Sequence, residues 1–537
     1  MSRGRRVQLD WFEWASLAVL GALSFFFLAY LGLSGRPLTG AEGPVGLDQL
    51  QYMTWIREAG DHILIGNRWD LVADNRVFLH PGFLISGLVH RLTGLSLFWS
   101  YTLLWKPVAV VGLFGVVVAW VRQLVEGVWP RRVALFIALF VVMPWSGLLK
   151  FFGIGNRIQA YLWGLHLDFP SGEIWTIQPL HGYSMTVIAL ALMTGALLGV
   201  ARAGSSPSWK RVSMISVIAM LVTWLQPWQG AELLLIIGFT ELWVRVRSSA
   251  AVRWRLLPVF VFGSLPAAYY AWLGHSDSSW RLAAKSNSDS SQALLTWPWW
   301  AVLATFVPVV APALLAYRIP SRDWGQVSAR VWPLAALVVY FLPVGTFPFH
   351  AVQGIMIPLA VLIVQGLTVG RPRWLPALPA WLVVVLLAFF SVPGTIHKLW
   401  SGLHQVNTAA YPYTFRPGEQ QALDWMQQSR IPGPVFTDEY GGLLVPAYSG
   451  REAYVGPFSW TPNLLQRGYV ANAVFKGQIP PRVARQLILK SGARLVFQPC
   501  YGRSSAKPSL EPLLGSLLES VHQFGCARVY VLKTTSS

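Results

Sequence analysis

The stretch Gly46-Leu47-Asp48-Gln49-Leu50-Gln51-Tyr52-Met53-Thr54-Trp55-Ile56-Arg57-Glu58-Ala59-Gly60-Asp61 lies just beyond the first long apolar segment of the chain. Read at the helical period, Leu47, Leu50, Tyr52, Trp55 and Ile56 can face apolar surroundings, while Asp48, Gln51, Arg57, Glu58 and Asp61 are polar. Asp48 falls near the helix start, where the backbone dipole favours a carboxylate. Two readings follow. One is an amphipathic helix lying on a membrane surface with Asp48 as its cap; the other is a helix that presents a lone carboxylate for chemistry. The rest of the chain supplies the context.

That context is a membrane. The 537 residues are 54% hydrophobic and 12% charged, and the mean hydropathy is +0.47, which excludes an ordinary soluble globular chain. The first apolar segment, residues 15–33, follows Arg3, Arg5 and Arg6, is too long for a signal-peptide core and lacks a small-residue cleavage site. It reads as a retained helix. A net charge of +19 would suggest nucleic acid in a soluble protein. Here the arginines concentrate in short gaps between apolar segments, the positive-inside pattern, and no nucleic-acid partner is expected. Many of the 28 tryptophans, such as Trp11, Trp14, Trp99, Trp209, Trp297 and Trp299, fall at segment ends as interfacial belts.

Further candidate spans fall near residues 99–121, 133–149, 183–200, 212–228, 230–244, 256–273, 298–317, 331–347, 351–369 and 374–392, about eleven with the first. Every second gap is basic: Arg122 with Arg131 and Arg132, Arg202 with Lys210 and Arg211, Arg245 to Arg255, Arg318 to Arg330, Arg371 with Arg373. This alternation puts the N-terminus in the cytoplasm and residues 34–97, 150–182 and 274–297 outside, together with everything after 393. It also lays the apolar piece His80 to Arg91 along the outer surface, because a crossing there would invert every later loop. The expected fold class is therefore an all-α polytopic membrane bundle, residues 1–400, followed by a small extracytoplasmic α/β domain, residues 401–537. In that domain residues 417–429 and 481–490 read as helices, and 434–437, 494–498 and 527–532 as strands. Its two cysteines, Cys500 and Cys526, suit either a disulfide or two buried thiols.

The chain has no phosphate-binding Gly-Lys-Ser loop, dinucleotide fingerprint, Cys-x-x-Cys or His-Glu-x-x-His, so nucleotide hydrolysis and structural zinc are not expected. Its candidate chemistry lies in outer polar groups. Asp48 is one. The loop from Gly155-Asn156-Arg157 through His166-Leu167-Asp168 and Glu173 to His181 gathers acids, histidines and an arginine. Acids from two loops would supply a general base and a site for a divalent cation, magnesium or manganese. Lys106, Lys150, Gln226, Gln229, Glu232, His350 and Gln353 lie within or at the ends of spans, where polar groups are costly and often functional. Cationic members lining one cavity would hold a lipid phosphate.

These features resemble the C-type (GT-C) integral-membrane glycosyltransferases, which use polyprenyl-phosphate-linked sugars. Asp48, early in the first outer loop, occupies the place of that family's catalytic aspartate, although no second acid lies within two residues of it. His80-Pro81-Gly82-Phe83-Leu84 with Leu92-Thr93-Gly94-Leu95-Ser96 resembles the family's second surface helix and its exit. Phe349 to Ala360 looks like a late helix that begins with a basic group, with His350 standing where an arginine is frequent, and Ala447 to Gly456 resembles the attached outer domain. The resemblance implies inverting transfer of a sugar from a polyprenyl-phosphate donor to a glycan, lipid or protein acceptor at the outer face of a bacterial plasma membrane. Asp48 would be the general base, and Lys106, Lys150, Arg157, Asp168, Glu173, His181, His350 and Gln353 would bind donor or acceptor. A transporter or flippase of lipid-linked glycan and a non-catalytic envelope-assembly protein are the alternatives. The first predicts acids deep within the spans and the second a dispensable Asp48.

Overall fold

A computed structural model describes residues 8–43, 46–71, 75–153, 157–204, 207–248, 253–295, 297–321, 323–342, 347–374, 376–407, 413–500 and 508–533, without the side chains of 157–165, 248 and 289–295. The chain forms two compact units. One comprises Met1–Phe26, Trp105–Tyr270 and Ser288–Ser401; the other comprises Phe27–Leu104, Ala271–Asn287 and Gly402–Ser537.

In chain order the helices up to residue 407 are α1 (Trp11–Gly32), α2 (Gly46–His62), α3 (Pro81–Thr93), α4 (Leu97–Leu124), α5 (Val128–Phe140), α6 (Trp145–Phe151), α7 (Arg157–Ile174), α8 (Ser184–Arg202) and α9 (Trp209–Leu225). They continue with α10 (Pro227–Ser248), α11 (Leu257–Ser276), α12 (Ser278–Leu295), α13 (Trp299–Leu314), α14 (Trp324–Phe341), α15 (Met356–Thr368), α16 (Ala380–Phe389) and α17 (Val392–Asn407). Each expected span overlaps one of these helices or a pair of them, and residues 343–346 of the expected 331–347 span lie outside the described residues. Among the described residues, six stretches are long and apolar enough to cross a bilayer by themselves: Trp11–Gly32, Leu97–Leu124, Ser184–Arg202, Trp254–Ser276, Trp299–Arg318 and Ala380–Asn407. A seventh is α5 with α6, bent by 69° at their junction. The remaining expected segments are short or polar: α9 has 17 residues, α15 has 13, and α10 and α14 carry Glu232, Glu241 and Arg330. Thirteen residues of helix rise about 20 Å, against about 30 Å of hydrocarbon.

The first unit has one continuous apolar core, to which Leu113, Val117, Trp120, Leu197, Ile236, Trp332 and Leu362 contribute. Ion pairs tie its basic gaps together. Arg122 clasps Glu13 in the first turn of α1, Arg132 Nη2 lies 3.0 Å from Asp10, and Arg253 clasps Glu241. The start of α1, the end of α4 and the start of α5 thus meet, as neighbours in one basic gap should.

The second unit knits the first expected outer loop to the chain after 402. Phe415 N donates to Pro37 O (2.9 Å), Asn67 Nδ2 to Trp460 O (2.9 Å) and Trp69 Nε1 to Gly442 O (2.8 Å). Its helices α18 (Pro417–Gln428), α19 (Glu439–Ser449), α20 (Leu464–Phe475), α21 (Pro481–Lys490) and α22 (Glu511–Leu514) accompany a sheet of β1 (Val435–Phe436), β2 (Leu495–Gln498), β3 (Leu518–Phe524) and β4 (Ala527–Leu532). The strand order is β1-β2-β4-β3, with β1 and β2 parallel and the other pairs antiparallel. Phe436, Val474, Ile488, Val496 and Tyr530 fill its core. Cys500 and Cys526 are joined in a disulfide, which closes one of the two alternatives left by the sequence.

The helices α2 and α3 are present where the sequence places surface helices, but α2 does not lie half-immersed. Of its 17 residues only Asp48, Asp61 and His62 are exposed. Glu58, expected on the polar side, is buried between Arg76 (Nε 3.2 Å) and Arg68 (Nε 3.4 Å). The cause is tertiary. α3 crosses α2 at Gly60 and Gly87, and a methyl at Gly87 would overlap the Ile56 carbonyl oxygen. α19 contributes the Ala447 carbonyl, which accepts from Arg57 Nη1 at 3.1 Å. The α3 start is fixed by His80, whose Nδ1 accepts from Phe83 N at 3.3 Å, with Pro81 in the first turn. Gly94, at φ 74°, ends it in the left-handed conformation that glycine adopts without strain.

Candidate active site

In the second unit Asp48 sits in the first turn of α2 and is the one exposed residue in the first fifteen of that helix. Its carboxylate therefore meets solvent at the positive end of the helix dipole, while the rest of the helix is fixed by packing. One turn on, Tyr52 stacks with Trp55 (6.0 Å between centroids) and lies 5.1 Å from Phe83. Burial and the Asp48 charge hold the Tyr52 phenol well above its ordinary range, so it stays protonated. Trp55 in turn packs edge-on to Phe78 and Trp460, and Trp280 lies edge-on to the same two rings. This aromatic block makes a stiff base for the carboxylate.

In the first unit the loop acids and basic groups fall into separate clusters. Asp168, on α7, takes Lys398 Nζ at 3.4 Å on Oδ1 and His397 Nε2 at 2.8 Å on Oδ2, both from α17. Lys398 Nζ also donates to the Asp168 carbonyl at 2.6 Å. Burial alone would raise the Asp168 carboxyl, but the Lys398 charge and the His397 hydrogen bond outweigh it and hold the group well below the usual carboxylate range. Lys150, exposed at the end of α6, places Nζ 3.3 Å from the centre of the Trp400 ring. The approach of α6 to α17 is close: a methyl at Gly147 would lie 2.7 Å from Pro393 O. Lys150, Asp168, His397 and Lys398 thus form one charged patch. Glu173 accepts from Gln353, whose Nε2 lies 2.8 Å from its Oε2.

Lys106 is buried, with Nζ donating to Leu180 O at 2.8 Å and lying 5.3 Å above the Phe25 ring. The adjacent His181 is buried too, with Nε2 2.9 Å from Leu23 O, and burial with the Lys106 charge pushes its imidazole down to about 3. His181 is therefore neutral at physiological pH. His350 stacks on Trp228 at 4.3 Å, among aromatic rings that include Phe347. Gln226 Nε2 donates to Thr186 Oγ1 at 2.7 Å, and Gln229 and Glu232 are wholly buried further along α10. Arg157 opens α7, but its side chain lies outside the described residues, as do Gly155 and Asn156.

The sequence reading missed His397 and Lys398. Their signal was present, since a His-Lys pair follows directly on the last apolar segment, but its partner Asp168 lies 229 residues away from His397. No three acid or histidine side chains converge as a metal-ligand set among the described residues.

No protein-family model matches the sequence, and no curated protein does. Among solved structures the chain is similar to ArnT from Cupriavidus metallidurans bound to undecaprenyl phosphate, at a TM-score of 0.51 and 14% identity, covering 98% of this chain and 99% of that one. The fold is that of ArnT. Two weaker likenesses are the archaeal oligosaccharyltransferase AglB from Archaeoglobus fulgidus and the arabinofuranosyltransferase AftD from Mycobacteria. AglB gives a TM-score of 0.49 at 12% identity, covering 91% of this chain and 70% of that one. AftD gives 0.49 at 13%, covering 99% of this chain and 42% of that one. With six described stretches long and apolar enough to cross a bilayer, the chain reads as a polytopic membrane protein.

Proposed function

We propose that this protein is an inverting glycosyltransferase that takes a sugar from a polyprenyl-phosphate donor and passes it to a glycan, lipid or protein acceptor at the outer face of a bacterial plasma membrane. Asp48 is its general base. The observation that carries this reading is the exposure of Asp48, an acid at the start of an otherwise buried helix in a GT-C fold. The Asp48 carboxylate takes the proton of the acceptor hydroxyl as that oxygen attacks the anomeric carbon from the face opposite the phosphate. The anomeric C–O bond to phosphate breaks, and the polyprenyl phosphate leaves with the electron pair. Lys150, exposed and near Lys398, and the buried Lys106 are assigned to the departing phosphate, whose charge grows in the transition state. Arg157 is a further candidate for the same role. Asp168 holds His397 and Lys398 in place, and Glu173, Gln353, His181 and His350 are candidates for binding donor or acceptor.

The test is transfer of radiolabelled sugar from a panel of polyprenyl-phosphate donors in membranes that carry the wild-type chain or Asp48→Asn. Label that moves with the wild type alone supports both the reaction class and the base. Undiminished transfer by Asp48→Asn removes Asp48 from the mechanism, and no transfer from any donor by the wild type removes the reaction.

A further inference from the structure

The second unit contains a cavity of about 360 Å³ that the transfer mechanism leaves unused. One wall is α18. Gln420, Asp424 and Gln427 are spaced i, i+4, i+7 along it, which puts all three on one face, and all three are exposed. Facing them are Trp99, Phe415 and Arg57. Phe415 is held edge-on against Tyr448 at 4.7 Å between ring centres. Arg57 is pinned by its bond to the Ala447 carbonyl, and Gln427 Oε1 lies 3.1 Å from Arg57 Nη2 when its amide nitrogen is turned to Tyr448 O.

Two features mark this as a binding site. The side chains of Gln420 and Asp424 make no hydrogen bond or ion pair among the described residues, although both border the cavity, and burial raises the Asp424 carboxyl above its ordinary value. The lining also mixes flat rings with planar amide and carboxylate groups and carries little net charge. Sugars have that dual chemistry. Their C–H faces lie against aromatic rings, and their vicinal hydroxyls bond in pairs to planar amide or carboxylate groups. The volume falls within the range of small-molecule sites.

The cavity is separate from Asp48. Asp48 and Arg57 are nine residues apart on α2, two and a half turns, so Arg57 points from the opposite face about 13 Å further along the axis.

We propose that this cavity binds a neutral oligosaccharide, holding sugar units of the acceptor glycan away from the reacting hydroxyl. Only the name "acceptor" rests on the glycosyl-transfer reading; glycan binding stands without it. The test uses full-length protein in nanodiscs, titrated by saturation-transfer NMR with neutral trisaccharides of mannose, glucose, galactose and arabinose. The wild type and Asp48→Asn are expected to bind the same member of the panel with equal affinity. Asp424→Asn and Gln420→Ala, both on an exposed helix face, are expected to weaken binding by about tenfold each, and Trp99→Ala by at least as much. Wild-type protein that binds none of the trisaccharides overturns the proposal, and so does binding that the three cavity variants leave unchanged. A failure of Asp48-dependent transfer with cavity-dependent binding intact counts against the catalytic reading alone.

Discussion

Asp48 and Asp168 are the same side chain on two helices outside the expected membrane spans, and the structure treats them in opposite ways. Asp48 is exposed on a helix otherwise packed on every side, whereas Asp168 is clasped by His397 and Lys398. The clasp lowers the basicity of Asp168 and makes it an anchor for cations. Asp48, at an exposed helix start, is the group that the proposed mechanism uses as its base. Residue type therefore says little about surroundings here; what distinguishes the two is exposure, which at Asp168 is cut by the approach of His397 and Lys398 from α17.

The sharpest way to break this contrast is to neutralise each acid in turn. Asp48→Asn is expected to lower turnover about 10²- to 10⁴-fold, the usual worth of a general base, with an unchanged melting temperature. Sugar transfer measured beside differential scanning fluorimetry reads both. Loss of the Cys500–Cys526 link in Cys500→Ser/Cys526→Ser comes next, at about 2–4 kcal/mol of the stability of the second unit, measured by denaturant unfolding. Asp168→Asn is expected to act as the reverse of Asp48→Asn. It should destabilise by about 1–3 kcal/mol in thermal unfolding, through a stranded Lys398 ammonium and a lost His397 hydrogen bond, and reduce transfer only indirectly. The depressed carboxyl also carries a pH signature. It binds fewer protons in the folded chain than in the unfolded one below about pH 4, so its contribution is present above that pH and lost as pH falls. Asp168→Asn should flatten this acid limb of a melting curve.

The smallest expected effect concerns Glu419, buried in α18 with bonds from Arg416 N (3.1 Å) and the Tyr440 hydroxyl (3.2 Å). Burial pushes its carboxyl from 4.5 up to about 7. Between those values the folded chain binds more protons than the unfolded one, so stability falls as pH rises through the window. Glu419→Gln should remove that decline by a few degrees of melting temperature at most, measured from pH 5 to pH 8.

Much of the fold was legible from local pattern. The α2 and α3 helices, α18, α21, β1, β2 and β4 all follow hydrophobic period, proline and capping signals. What was not legible depended on remote chain. The period of α2 suggested one polar side, yet Glu58 and Gln51 are buried, because Arg68 and Arg76 supply countercharge and α19 covers the helix from residues almost four hundred positions on. α19 itself contains Pro446 and two glycines, poor material for a helix, and forms with Asp438 capping Gly441 N at 2.9 Å. β3 escaped notice for another reason: it is only half-buried along most of its length and irregular between Leu518 and Ser520, so it lacks a clean alternation. Asp48 could be picked out from its place alone, while the clasp on Asp168 required coordinates.

The crossing of α2 and α3 at Gly60 and Gly87 has a bearing on inheritance. Every amino-acid replacement at either position adds at least a methyl where the opposing backbone already sits. Any missense change there must wedge the two helices apart and tilt the one that carries Asp48. A lineage that drifts at most of its positions can thus be disabled at two sites that hold no functional group at all, and a loss-of-function screen would rank them beside the proposed base.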